Sequence, residues 1–263
     1  MAKKRIGKCA LCGIECKLSF EHIPPKICFN KSPVKPLYGV SVFAYPTHCL
    51  QENAYLPRLN QQMGMGLYSL CPQCNNLTGH WYGSAYNSIT KLAAMLLNTD
   101  IVPEYHSVEL PKIYPLRIIK QIISMFCSLN PQYDIDDLRR FVLERDAVGI
   151  DSNKYRIFMR LTKSPTHKAI GFTSIVTIEP MESFMVSEIT ARPFDFTLYL
   201  DPINEYRYPG IDITAFAQCK YDDIYNVKIP LDICEVNTQY PVDYRTTSEL
   251  VSNSSNRTGG INE

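Results

Sequence analysis

Four cysteines and three polar residues in the first third of the chain have the types and spacing that do chemistry. Cys9-x-x-Cys12 and Cys71-x-x-Cys74 are two pairs, and four thiolates fill the tetrahedral shell of a structural zinc ion. Between the pairs, the stretch CALCGIECKLSFEHIPPK sets Glu21 beside His22, and Asn75 directly follows the last cysteine. Hydrolysing a phosphodiester takes a base to activate water and a cation to neutralise charge on the phosphate and the departing oxygen. A histidine suits the first task because much of it is neutral near neutral pH. A carboxylate and an amide oxygen suit the second, since oxygen ligands select hard ions such as Mg²⁺ or Mn²⁺.

Each of these residues also has a plainer reading. Buried cysteines are often small hydrophobes, a description that suits Cys127, Cys219 and Cys234 better than the two pairs. Cys16, Cys28, Cys49, His48 and His80 could substitute as ligands. Glu21 and His22 could be a polar pair at the end of a strand before two prolines, and Asn75 or Asn76 could cap a helix. Trp81 and Tyr82 could stack on nucleic acid, although packing of the zinc module against the next helix suits them better. Adjacent strand residues point to opposite faces, so Glu21 and His22 address one site only if their strand is twisted or bulged.

The elements that must hold these residues follow from the pattern of the chain. The first 80 residues are rich in Cys, Pro, Gly and Asn, as expected of a small metal-stapled module. CALCG reads as a knuckle turn, and LCPQCNNLTG runs from a strand toward a helix whose N-terminus carries Cys74. A knuckle, a hairpin and a helix that closes the zinc site make a treble-clef arrangement. Helical periodicity predicts helices over 84–98, 112–129 and 134–146. After Gly149, β-branched and aromatic runs at 154–163, 169–180, 183–191, 194–200, 213–219 and 225–236 predict an antiparallel sheet or sandwich. The tail from 246 is polar and reads as disordered.

Composition bounds the partners. With 263 residues, 45% hydrophobic and 20% charged, the chain can bury a sizeable core. Net charge is +1, but residues 1–130 carry 13 Lys/Arg against 6 Asp/Glu and residues 131–263 carry 14 against 20. The halves are therefore near +7 and −6, the asymmetry of a basic half that meets a polyanion, or of a solvated charged surface. No apolar run is long enough to span a membrane, and the basic start lacks the apolar stretch of a secretory signal. The expectation is a cytoplasmic protein with reduced thiols and no membrane partner.

The string Cys9-x-x-Cys12, Glu21-His22-Ile23-x-Pro25, Leu70-Cys71-x-x-Cys74-Asn75 resembles the zinc-containing branch of the HNH endonucleases, whose ββα-metal core sets an Asp/Glu-His-Ile-x-Pro strand between two C-x-x-C pairs. The matching motifs cover residues 9 to about 79. The resemblance implies a distorted strand on which His22 is the general base and Glu21 a ligand of the catalytic ion. It implies Asn75 as a second ligand, with Lys26 on a phosphate. Many members carry an Asn five residues before the third cysteine, on the loop that orients the histidine; here that position is Gly66, and Asn60 or Asn53 would have to supply the role.

The expectation is an α+β protein with a zinc-stapled nuclease module at 1–83, a helical connection at 84–149, a β-rich domain at 150–245 and a tail at 246–263. It would hold structural Zn²⁺ and catalytic Mg²⁺ or Mn²⁺ and cut nucleic acid, DNA first. The β-rich domain would recognise a protein partner or a second copy. By analogy, the architecture fits bacterial defence or a mobile element. The alternatives are a non-catalytic zinc-dependent nucleic-acid-binding protein with a degenerate core, and an adaptor anchored by its zinc module.

Overall fold

Gly13, at φ +71°, turns the chain between Ile6–Lys8 (β1) and Glu15–Lys17 (β2), which pair antiparallel. The structure, a computed structural model, describes residues 5–34, 63–98, 107–165, 167–176, 181–204, 206–230 and 233–234. Ser19–His22 (β3) pairs antiparallel with Gly66–Leu70 (β4), and Pro72–Asn98 (α1) follows at once. The helix starts twelve residues before the periodic stretch that predicted it, because its first turns face the cysteines rather than an apolar stripe.

Pro115–Leu129 (α2) is buried at almost every position, so it is a central helix rather than an amphipathic surface one. Asp136–Leu143 (α3) follows. Its C-terminal end is closed by the buried Lys120, whose Nζ donates to the carbonyls of Glu144 at 2.5 Å and Arg145 at 3.0 Å. These three helices are shorter or longer than expected at their ends, but each exists among the described residues.

The C-terminal region is β-rich. Tyr155–Thr162 (β6), Lys168–Val176 (β7), Ser183–Ala191 (β8), Phe194–Leu200 (β9) and Ile211–Asp212 (β10) form an antiparallel sheet in the order β10-β6-β9-β8-β7. Ile233–Cys234 (β12) adds a short parallel pairing to β6. Ile157, Phe196, Leu198 and Ile189 face the helices, in one buried cluster that reaches Cys9, Leu11 and Leu70. The other face carries Phe158, Phe184, Val186 and Tyr199, covered by Tyr208.

Two expectations need correction. Residues 213–219 are not a strand: Thr214–Gln218 is a 3₁₀ turn, started by Asp212 Oδ1, which accepts the Thr214 N–H at 2.9 Å. Such side-chain-to-backbone bonds compete with a sheet ladder. Conversely, Ser107–Ile113 (β5) is a strand within the helical connection, paired with Tyr225–Pro230 (β11). Pro111 hides it in the sequence, since proline cannot donate to a ladder; it falls where the register shifts, opposite the Tyr225/Val227 irregularity. No described helix is long and apolar enough to cross a membrane. The tail 246–263 lies outside the described residues.

Candidate functional site

The knuckle sequence folds tightly because its backbone closes on itself: Gly13 N–H donates to the Cys9 carbonyl at 2.9 Å, and Cys9 N–H to the Ile14 carbonyl at 3.0 Å. Ala10 N–H reaches the Ser69 carbonyl at 2.8 Å, drawing the knuckle onto β4 just before Cys71. The Arg139 Nε of α3 donates to the Ala10 carbonyl at 2.9 Å and anchors the knuckle to the helical layer. As a result the ligand atoms of Cys9, Cys12, Cys71 and Cys74 lie within 4.8 Å of one another. The Cys12 and Cys71 sulfurs are 4.0 Å apart, close to the edge of about 3.8 Å expected for a tetrahedron with 2.3 Å Zn–S bonds.

The helix contributes to this centre. Pro72 opens α1, where its missing N–H costs nothing, and the Cys71 sulfur accepts the Cys74 N–H at 3.3 Å as a side-chain cap. The Cys9 sulfur accepts the Cys71 N–H at 3.2 Å. A hydrogen bond from Cys74, joined by backbone donors, pulls the Cys9 thiol down to about 4 and pushes Cys74 up. Burial raises Cys12. The four sulfurs cannot all ionise together without a compensating cation, so the donor set and its spacing fit zinc. Cys16 lies near Cys71 and Cys9, whose charges raise its own thiol after burial does, but it is outside the cluster of four. Cys28 is buried, pushed up to about 11 by burial, and His80 is exposed on α1. His48 and Cys49 lie outside the described residues.

The strand that carries Glu21 and His22 is irregular ahead of the pair and regular across it, so the two side chains leave on opposite faces. Its register with β4 shifts between Ser19 and Phe20. Phe20 and His22 share a face, with ring centroids 4.9 Å apart in an edge contact. Glu21 points the other way and is 5% exposed. Burial alone pushes its carboxyl up to about 8. Among the described residues it has neither a cation nor a hydrogen-bond donor, an arrangement that costs several kcal/mol for an ionised carboxylate. Asn75 is not used as a cap. Its Nδ2 donates to Ser19 Oγ at 3.1 Å and to the Phe20 carbonyl at 3.2 Å, which docks the first turn of α1 on β3 beside Glu21 and leaves Oδ1 as the acceptor. A carboxylate and an amide oxygen are donors of the kind that fit a hard divalent ion.

Burial lowers His22, bonding to the Met63 backbone opposes it, and the charge of Lys26 adds to the lowering. The ring is therefore neutral at neutral pH. Nε2 is buried with no hydrogen-bond partner among the described residues. Lys26 is exposed in the turn that follows the strand.

Gly66 pairs with His22 and has no room for a side chain. A Cβ there would sit 2.1 Å from the Glu21 carbonyl oxygen and 2.8 Å from the Phe20 ring. Asn53 and Asn60 lie outside the described residues. A residue that the sequence reading passed over does related work: Asn30, 2% exposed, donates from Nδ2 to the carbonyls of Pro24 and Met65, both at 2.7 Å, and accepts the Met65 N–H at 2.7 Å. It ties the turn after β3 to the loop that carries Met63. Its context, CFNKSP, offered only a turn signal. Trp81 and Tyr82 belong to the core: Tyr82 is fully buried with its hydroxyl on the Val142 carbonyl at 2.7 Å, and Trp81 packs against the same cluster. Compared with known protein families, curated proteins and solved structures, the chain has no significant match.

Proposed function

We propose that residues 5–34 and 63–98 form a treble-clef ββα-metal core of the HNH type, and that the protein hydrolyses nucleic-acid phosphodiesters, DNA foremost. The observation that carries this reading is the buried Glu21 carboxylate, with no ion-pair or hydrogen-bond partner among the described residues, on the strand that also carries His22 with its unpartnered Nε2 and onto which Asn75 docks α1.

In this reading Cys9, Cys12, Cys71 and Cys74 hold zinc for structure alone, because four thiolates leave no open position for substrate. Glu21 and Asn75 would hold Mg²⁺ or Mn²⁺, which would supply positive charge to the phosphate and the leaving oxygen. His22 Nε2 takes the proton of the attacking water. The Met63 backbone, which favours the charged ring, would stabilise the imidazolium that forms. Asn30 holds the Met63–Met65 loop, so it is a positioning residue for His22. Lys26 meets a flanking phosphate, and the β-rich region serves recognition or assembly. A cytoplasmic role in bacterial defence fits the architecture by analogy with the family.

One observation favours a second reading, zinc-dependent nucleic-acid binding without cleavage: Nε2 is buried, closed to water as the atoms stand. Nicking of supercoiled plasmid separates the two. Wild type with Mg²⁺ or Mn²⁺ should nick, and His22→Ala should be slower by about 10²- to 10⁴-fold at equal zinc content. Salt-sensitive DNA binding by both proteins with no nicking by either would establish the second reading.

A further inference from the structure

A cavity of about 440 Å³ lies between the turn that follows β3, the end of α1 and the loops at the edge of the β6–β9 sheet. Its volume is that of a small-molecule site. Two kinds of surface meet in it. Pro24, Ala94, Pro165 and Ala191 give it small apolar walls, while His167 and Arg192 provide nitrogen donors. Arg192 donates to the Asn98 side chain at 2.6 Å, and no acidic residue is among the described lining residues. The aromatic member is Phe29, 57% exposed, whose backbone sits at φ +62°. A bulky residue in the left-handed region is a costly exception, and here the exception presents a ring to the cavity.

We propose that this cavity binds one nucleotide, with its base stacked on Phe29 and its phosphate on Arg192 and His167. The inference rests on the nuclease reading for its choice of strand. Pro24 is two residues beyond His22, at most about 7 Å of extended chain, and a DNA strand advances about 3.4 Å per base. A nucleotide within a few positions of the cut phosphate therefore reaches the cavity once it is unpaired. The same chemistry would accept a free nucleotide. In either case Asn30, which lines the cavity and bonds to Pro24 and Met65, couples occupancy to the loop that orients His22.

The test uses the zinc-loaded full chain without Mg²⁺ or Mn²⁺. Fluorescence anisotropy compares a labelled DNA duplex with one unpaired adenosine against the same duplex fully paired, and calorimetry follows dAMP. The unpaired site should bind about tenfold tighter. Phe29→Ala, Arg192→Ala and Ala94→Trp, the last filling the cavity from α1, should each bring the two duplexes together in affinity, with melting temperature and zinc content unchanged. Binding of dAMP that is lost in Arg192→Ala, without any duplex preference, would support the site and assign it to a free nucleotide. Equal duplex affinities with no dAMP binding, or a preference that survives all three variants, would overturn it. Nicking by wild type and His22→Ala is read separately, so failure of the cavity and failure of the nuclease reading are distinct results.

Discussion

Glu188 in the sheet and Glu21 on β3 are both buried carboxylates, yet their surroundings differ. Glu188 is 0% exposed and meets Lys168 Nζ at 2.6 Å. Asp195, 1% exposed, pairs with Arg160. The Thr190 hydroxyl lies within hydrogen-bond distance of both carboxylates, at 3.3 Å and 2.6 Å. Each charge in this network has its countercharge in the fold, so nothing further is needed to keep it there. Glu21 has burial and, among the described residues, no countercharge. The difference teaches where to look for function: a closed network specifies structure, while an open one asks for a ligand.

Three experiments test that contrast, from the largest effect to the smallest. Removing zinc should be the most damaging, because structural zinc contributes about 10–16 kcal/mol in small zinc modules. Chelation or Cys74→Ser should abolish amide-exchange protection in β3, β4 and the first turns of α1. Unchanged protection there would show that the knuckle, Arg139 and the shared core suffice without metal.

The two carboxylates should then separate. Lys168→Met leaves Glu188 buried without its partner and should cost about 3–5 kcal/mol in urea unfolding. Glu21→Gln removes an uncompensated carboxyl and, with zinc bound and no Mg²⁺ or Mn²⁺, should cost less than about 1 kcal/mol or stabilise. Equal costs would erase the distinction between the regions. Smaller than the Lys168→Met loss, Asn30→Ala gives up three hydrogen bonds and should cost about 1–3 kcal/mol. It should also slow nicking while leaving zinc content intact. A full-rate Asn30→Ala enzyme would remove the positioning role.

The parts of the molecule that were legible in the sequence are those governed by local spacing. Cys9-x-x-Cys12 became a knuckle, and the β-branched runs at 183–191 and 194–200 became strands of those same bounds. What depended on distant partners was not legible. β5 exists because β11, more than 100 residues later, pairs with it around Pro111. Asn30 matters because it bonds the backbone of Met65, 35 residues away, and no local pattern marks such a bond. Gly66 looked like a defect at a position where the family that the motif resembles often carries Asn. The Phe20 ring and the Glu21 carbonyl occupy the space that any side chain would need, so the glycine follows from the strand pairing.

The central claim is that Glu21 is left open for a divalent cation. Electron paramagnetic resonance of Mn²⁺ titrated into the zinc-loaded chain tests it most directly, read in wild type and in Glu21→Gln of equal zinc content. The account predicts one saturable Mn²⁺ site in wild type that Glu21→Gln abolishes. Identical Mn²⁺ binding by the two proteins, or none by either, would contradict it.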